Sequence, residues 1–193
     1  MRLLFSNRQI LVTILLFCLF GCRSVPAPSN ASGNLNATPA QKTPFTVSIV
    51  ATRSTSDSRV ITIAAEKPDE FYVVLTNVSN EPQSVWETWN SWGSRTISFE
   101  VTFGNNPPIL VAREQEEFSK NLPSTFLIPP GEHKVYPIRL DKRWDVGSIP
   151  KSTEARASVK AVYEVPVTPE ASTYHVWTGR VESGNYNVTL RQW

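Results

Sequence analysis

Three tryptophans spaced three residues apart are the most unusual feature of this 193-residue sequence. Trp86, Trp89 and Trp92 lie in the segment Trp-Glu-Thr-Trp-Asn-Ser-Trp-Gly, which ends at Gly93. Indole rings offer a large contact area at small entropic cost, so an exposed row of them would stack on sugar rings or anchor a protein partner. The alternative is structural, with one or two rings plugging the end of a β-sandwich and Asn90–Gly93 forming a turn.

Residue types suited to catalysis or metal binding are sparse. The only imidazole bases are His133 and His175, and the sequence beyond Cys22 has no thiol and no Gly-x-Ser-x-Gly elbow. Nucleophilic catalysis needs a nucleophile beside a base, and tetrahedral zinc needs four ligands, mostly Cys and His. We expect the acidic run Glu114–Glu117 and the loop at Asp141 to be hydrated surface loops. The functional alternative for the run is weak calcium binding. We therefore expect no enzymatic activity, no cofactor and no metal.

The N-terminus has the pattern of an export signal. Arg2 and Arg8 flank the start of the chain, and an apolar run of eleven residues, Ile10–Phe20, follows. As a helix this run measures about 16 Å at about 1.5 Å per residue, whereas a membrane core is about 30 Å thick. The run therefore indicates a signal-peptide core rather than a permanent membrane span.

The run ends in Leu19-Phe-Gly-Cys22, which resembles the lipobox of bacterial lipoproteins. Leu19, Gly21 and Cys22 match that pattern, and Phe20 departs from it. The resemblance implies cleavage after residue 21 and attachment of lipid to the Cys22 thiol. The membrane partner is then reached through Cys22, and the mature body has no cysteine for a disulfide. Loss of the two arginines of the signal leaves 17 basic residues against 17 acidic ones.

Residues 22–44 have the composition of a tether. After Cys22 the 22 residues of Arg23–Pro44 are mainly Ser, Ala, Asn, Pro, Thr and Gly, which is typical of a flexible linker. Such a coil spans about 25 Å on average and about 75 Å when extended. Arg23 rather than Asp after the lipidated cysteine implies the bacterial outer membrane, facing the periplasm or the cell surface. No nucleic-acid partner is expected, because the longest basic run is Lys142-Arg143.

From Phe45 onward the hydrophobic residues alternate with polar ones at a period of two, which predicts β-strands. Turn signals recur about every ten residues, as in several β-sandwiches. Pro130-Gly131 predicts a type II turn, and Pro137 predicts that its strand is an edge strand or carries a bulge. The predicted strands are Phe45–Ala51, Val60–Ala64, Phe71–Leu75, Arg95–Phe103, Ile109–Ala112, Lys134–Leu140, Ala157–Val165, Tyr174–Val181 and Tyr186–Leu190.

This pattern predicts an all-β, antiparallel β-sandwich of about eight or nine strands over residues 45–193. The chain is then organised as a lipoprotein signal peptide (1–21), a lipidated cysteine with a flexible linker (22–44), and one β-sandwich domain (45–193).

Four segments of the body carry a further resemblance: Leu75-Thr-Asn-Val-Ser79, Asn90-Ser-Trp-Gly93, Leu127-Ile-Pro-Pro-Gly-Glu132 and Val176-Trp-Thr-Gly-Arg-Val-Glu-Ser183. They resemble immunoglobulin-like domains of uncharacterised exported bacterial proteins and, more weakly, the bacterial intracellular proteinase inhibitor domain. The resemblance implies an immunoglobulin-like sandwich. It specifies architecture and not activity, because the shared features are turn and core devices.

We expect a lipid-anchored, non-enzymatic module of the cell envelope that binds a protein through an exposed strand edge or its loop ends. The first alternative is carbohydrate or peptidoglycan binding through Trp86, Trp89 and Trp92, which requires at least two exposed, coplanar indoles. The second alternative is a proteinase inhibitor, for which the best reactive-loop candidate is Glu114–Pro123.

Overall fold

The computed structural model describes residues 43–51, 54–55, 58–63, 68–151 and 154–192. The predicted signal peptide, Cys22 and the tether up to residue 42 lie outside these residues, as does Trp193. The described residues form twelve strands and one short helix: β1 (Phe45–Ala51), β2 (Ser54–Thr55), β3 (Ser58–Ile63), β4 (Glu70–Asn77), β5 (Gln83–Trp86), β6 (Ile97–Thr102), β7 (Ile109–Ala112), β8 (Thr125–Ile128), β9 (His133–Arg139), β10 (Ala155–Val165), α1 (Pro169–Thr173), β11 (Gly179–Glu182) and β12 (Tyr186–Gln192).

The strands pair into three sheets. One is antiparallel with the order β1–β4–β9. The largest has the order β2–β3–β12–β10–β6–β7, with β11 on the second half of β10, and is antiparallel except for the parallel pair β3–β12. β5 and β8 form an antiparallel pair. The predicted all-β, antiparallel β-sandwich is therefore confirmed, although the described residues contain twelve strands rather than eight or nine.

A hydrophobic core lies between the two larger sheets, because alternate residues of each strand point inward. Phe71 of β4 and Phe99 of β6 are 1% and 0% exposed, and their ring centroids are 5.5 Å apart. Tyr136 of β9 lies 6.1 Å from Tyr163 of β10. Aromatic rings from both sheets thus meet in one core, and the unit Gln41–Trp193 folds around it.

The outer face of the larger sheet is covered by ion pairs. Arg180 contacts the carboxylates of Glu100, Glu164 and Glu182 at 2.7–2.9 Å, and Lys160 contacts Glu182 at 3.0 Å. These side chains lie on β6, β10 and β11, so the network connects three neighbouring strands. An exposed sheet face with paired charges on adjacent strands resists association with other sheets.

Several local predictions are confirmed. β1 and β7 have the predicted bounds. β9 contains Pro137 and is the edge of its sheet, as expected for a residue that cannot donate to a ladder. Gly131 has a φ of 78°, and the N–H of Glu132 donates to the carbonyl of Pro129 at 3.1 Å, which closes the predicted type II turn.

The predicted strand over Tyr174–Val181 is wrong for its first five residues and correct from Gly179 onward. α1 ends just before this segment, and β11 begins only at Gly179. Thr168 caps the helix, since its hydroxyl accepts the N–H of Ala171 at 3.1 Å, and Pro169 opens the first turn. A five-residue helix is too short to show a 3.6-residue period in the sequence. The apolar residues that follow it alternate with polar ones and therefore resemble a strand.

Candidate functional site

The three tryptophans do not form an exposed row. Trp86, at the end of β5, is 2% exposed, and Trp92 is partly buried against the core. Their rings stack with centroids 5.7 Å apart and planes 30° apart. Trp89 is 54% exposed. The structure therefore brings one of the three candidate binding residues to the surface, so the condition of two exposed, coplanar indoles is not met. Trp86 is instead a plug, as the structural alternative predicts.

A buried turn explains why the tryptophans diverge. Asn90 is 0% exposed, and its side chain accepts the N–H of Gly93 at 2.9 Å and donates to the carbonyl of Ser124 at 3.2 Å. A Cβ atom on Gly93 would lie 2.0 Å from the carbonyl oxygen of Glu87, so only glycine fits there. The segment Asn90–Gly93 is thus a structural turn rather than a ligand-binding motif.

A second buried asparagine joins two of the segments that the sequence singles out. Asn77 is 0% exposed, and its amide donates to the carbonyls of Glu81 at 2.8 Å and Ile128 at 2.9 Å. Its side-chain oxygen accepts the backbone N–H and the hydroxyl of Ser79 at 2.9 and 2.7 Å. The backbone N–H of Gly131 donates to the Asn77 carbonyl at 2.9 Å. Asn77 therefore fixes the end of β4 against the turn that follows β8.

The two histidines lie on separate elements. His133 is the first residue of β9, His175 follows α1, and both are exposed. In the part of the chain that the structure describes, no group of three or more His, Cys, Asp or Glu side chains is placed to hold a metal ion.

The acidic side chains of both loops form ion pairs with arginines. Glu116 accepts from Arg113 at 3.0 Å, and Asp141 accepts from Nε and Nη2 of Arg143 at 3.0 and 2.7 Å. The hydrogen bond from Arg143 lowers the pKa of the Asp141 carboxyl below its ordinary value. A carboxylate held ionised in this way is a poor proton donor, so these residues behave as ion-pair partners.

The loop Glu114–Pro123 is mostly exposed and is tied at both ends. The Arg113–Glu116 pair holds its start. Near its end, Asn121 accepts the N–H of Ser91 at 2.9 Å and donates to the Ser91 hydroxyl at 2.8 Å. Leu122 is 69% exposed. The loop thus presents an apolar side chain from a backbone that is fixed on each side.

β8 is the functional candidate that sequence reasoning missed. It is four residues long, and its first three residues are all exposed, including Phe126 at 39% and Leu127 at 57%. Ile128 is completely buried and anchors the strand. Within the described residues, β8 pairs with β5 on one side and with no strand on the other. Its exposed positions do not alternate, so no period-two signal marks it.

Phe126 is held in place from one side by a charged pair. The ammonium group of Lys134 lies 4.0 Å from the centroid of the Phe126 ring and 2.6 Å from the Glu87 carboxylate. The Lys134 and Glu87 side chains are 13% and 26% exposed, so both are largely shielded from water. This cation–π contact orders the aromatic side chain without covering it.

The edges of β1, β5, β7 and β9 are less available than that of β8. Pro137 interrupts the donors of β9, and neighbouring segments bond to the other three strands. The covering contacts are the bridge from Val47 to Ser183 on β1, the bridge from Ser84 to Val176 on β5, and the hydrogen bond from the Asp145 N–H to the Ala112 carbonyl on β7.

The chain matches no protein-family model, and no curated protein matches it significantly. Among the described residues, no helix is both long and apolar enough to cross a membrane.

Proposed function

We propose that this chain is a lipoprotein of the bacterial cell envelope whose immunoglobulin-like sandwich is a non-enzymatic binding module. Lipid on Cys22 anchors it, and the tether holds the sandwich away from the membrane surface. The module binds an extended segment of a partner protein along β8. The observation that carries the proposal is the exposed edge of β8, with Phe126 and Leu127 at 39% and 57% exposure.

Strand addition explains why such an edge is useful for recognition. Unpaired backbone groups of an edge strand bond to an incoming extended segment, and alternate side chains of that segment supply specificity. Prolines at positions 123, 129 and 130 flank β8, so the pairing surface is limited to about four residues. A short surface of this kind suits a specific partner and disfavours aggregation.

Binding by β8 is tested with a pair of matched leucines. Leu127 on β8 and Leu110 on β7 are 57% and 59% exposed, so lysine is tolerated at either position. The soluble body, Thr43–Trp193, is used as bait on native envelope extract, either unchanged or as Leu127→Lys or Leu110→Lys. We expect Leu127→Lys to lose the bound protein and Leu110→Lys to keep it. Equal retention by both variants would exclude β8 as the binding edge.

Anchoring is tested separately on the full chain. Cells that express it are labelled with radioactive palmitate, and the wild type is compared with Cys22→Ala. We expect label in the wild type and none in the variant, because the thiol is the attachment site. Label that persists in Cys22→Ala would contradict the anchor.

A proteinase inhibitor is the second candidate function. The observation in its favour is the loop Glu114–Pro123, which is tied at both ends and exposes Leu122 to 69%. A substrate-like inhibitory loop must be extended and must resist cleavage. The test is incubation with a panel of proteases of different specificity, and prompt cleavage at any bond between Glu114 and Leu122 without inhibition would reject this candidate.

A further inference from the structure

Three arginines from separate segments line one cavity of about 310 Å³. Arg113 follows β7, Arg139 ends β9, and Arg143 lies in the loop after it. Glu70 is the one acidic residue among the lining residues. The wall of the cavity is therefore rich in guanidinium N–H donors, and each of the three arginines also pairs with one carboxylate.

Carboxylates occupy only part of each guanidinium group. Arg143 uses Nε and Nη2 on Asp141, and Arg139 uses Nε and Nη2 on Glu70. Arg113 uses Nη2 on Glu116. A guanidinium carries five N–H donors, so each of the three retains N–H groups outside its ion pair. The ion pairs thus orient the arginines without using all their donors.

One hydrogen-bond donor of Arg113 is unsatisfied. Its Nε atom is buried and has no hydrogen-bond partner. A buried donor without a partner is costly, and native proteins normally satisfy it with protein, water or a bound group. An oxyanion bound beside Arg113 would supply an acceptor for this donor. Of the other lining residues, Ser94 and Thr88 add hydroxyl groups.

The remaining wall is apolar, which limits the class of ligand. Ile97, Pro137, Ile138 and Trp144 contribute to it. Cavities of roughly 300 Å³ lie at the lower end of the size range for small-molecule sites. The space therefore exceeds that of a bare ion and suits a small molecule, or the end of a larger one, with an anionic group and a compact body.

We propose that this cavity binds a small ligand through one carboxylate or phosphate group. Arg113 and Arg143 bind the oxyanion, because planar guanidinium groups match the geometry of these anions and donate paired N–H groups to them. Trp144 and Ile138 pack against the body of the ligand. The inference is independent of partner binding at β8, since it uses different residues.

The direct test is titration of the isotope-labelled body, Thr43–Trp193, followed by NMR of the arginine Nε–H groups. The probes are inorganic phosphate and glucuronate, with glucose as the uncharged match to glucuronate. We expect saturable shifts of the Arg113 signal with both anions and none with glucose. Shifts that rise linearly without saturation, or an equal response to glucose, would overturn the proposal.

Variants assign the binding to the cavity. Arg113→Gln and Arg143→Gln are expected to weaken the affinity for glucuronate at least tenfold. The matched control is Arg156→Gln, which removes an exposed arginine that does not line the cavity and should leave the affinity unchanged. Should Arg113→Gln fail to fold, Arg143→Lys is the second variant. It keeps the positive charge but loses the paired N–H groups of the guanidinium, so we expect the same tenfold loss of affinity for glucuronate. Equal affinities for the cavity variants and Arg156→Gln would refute the site.

Vesicles identify the source of the anion. The body is sedimented with vesicles of phosphatidylglycerol or of phosphatidylcholine, with and without free phosphate. Binding to phosphatidylglycerol that phosphate displaces, and that Arg113→Gln abolishes, would assign a lipid headgroup. Binding of the soluble probes alone would assign a free ligand. Absence of binding in both arms would contradict the proposal.

Discussion

Single buried polar groups set the local stability of this sandwich, and Tyr163 is a clear case. Tyr163 is 0% exposed, and its hydroxyl has no hydrogen-bond partner. The hydroxyls of Tyr136 and Thr96 lie nearby and influence its pKa, but no hydrogen bond of normal geometry joins the Tyr163 hydroxyl to either. A buried, unpaired hydroxyl costs free energy and offsets part of the stability that burial of the ring contributes.

Replacement of Tyr163 by phenylalanine should therefore stabilise the protein. We expect the free energy of unfolding to rise by about 1 kcal/mol, since the ring stays and the unpaired hydroxyl is removed. Urea denaturation of the body measures the change. The control is Tyr72→Phe, whose hydroxyl donates to Glu70 at 2.8 Å, and it should give no gain. A loss of stability in Tyr163→Phe would show that the hydroxyl is satisfied.

Asn77 represents the opposite situation, a buried polar group with every bond made. Asn77→Ala should reduce the free energy of unfolding by about 3 kcal/mol, because the buried carbonyl of Ile128 and the N–H of Ser79 lose their partners. Thermal and urea unfolding measure the loss. Asn187→Ala changes an exposed asparagine and should cost little. Similar costs for the two variants would rule out the role assigned to Asn77.

At the scale of elements, the end of α1 contains a residue whose backbone is held in the left-handed conformation. The N–H of Val176 donates to the Ala171 carbonyl at 2.8 Å, and the N–H of His175 donates to the Ser172 carbonyl at 3.2 Å. These are the two bonds of a Schellman motif, in which the residue after the cap is left-handed and is usually glycine. Here that residue is His175, with a φ of 52°.

His175→Gly should consequently stabilise the turn. We expect a gain of about 0.5–1 kcal/mol, because glycine adopts this φ without the steric cost that a Cβ atom imposes. The measurement is the urea midpoint of the variant. His133→Gly replaces the other exposed histidine, which lies in a strand, and should lower the midpoint. A lower midpoint for His175→Gly would mean that the imidazole makes a stabilising contact.

Strand alternation explains which elements could be predicted from the sequence. β4, β6 and β10 bury one face against the core, so their polar and apolar residues alternate and the period reveals them. β8 has three consecutive exposed residues, and α1 has five residues in all, so neither offers a period to read. The Thr168-Pro169 cap was the local signal that could have revealed α1.

Candidate sites were harder to predict, because their geometry depends on long-range pairing. The spacing of Trp86, Trp89 and Trp92 cannot show that the Asn90 turn buries the first ring and exposes the second. The arginine-lined cavity depends equally on how β9 and the loop at Arg143 lie against the end of β7.

For the whole molecule, the two core tyrosines make stability depend on alkaline pH. Burial raises the pKa values of Tyr163 and Tyr136 above the ordinary value of 10.0. A raised folded-state pKa means that their contribution is complete below about pH 10 and is lost as the pH rises further, since the unfolded chain releases its protons first.

The free energy of unfolding should therefore fall above pH 10 by about 1.4 kcal/mol per pH unit for each buried tyrosine. Urea titrations between pH 8 and about pH 11.5 measure the slope. Tyr163→Phe removes one of the two groups and should make the decline clearly shallower. An unchanged slope in that variant would exclude the buried tyrosines as its cause.

We propose that a partner protein binds the sandwich along β8. The most direct measurement places a photo-crosslinking amino acid at position 127 or 110 of the full-length, lipidated chain and irradiates intact envelopes. We predict a discrete crosslinked adduct from position 127 and none from position 110, although the two leucines are equally exposed at 57% and 59%. No adduct from position 127, or the same adducts from both positions, would contradict the account.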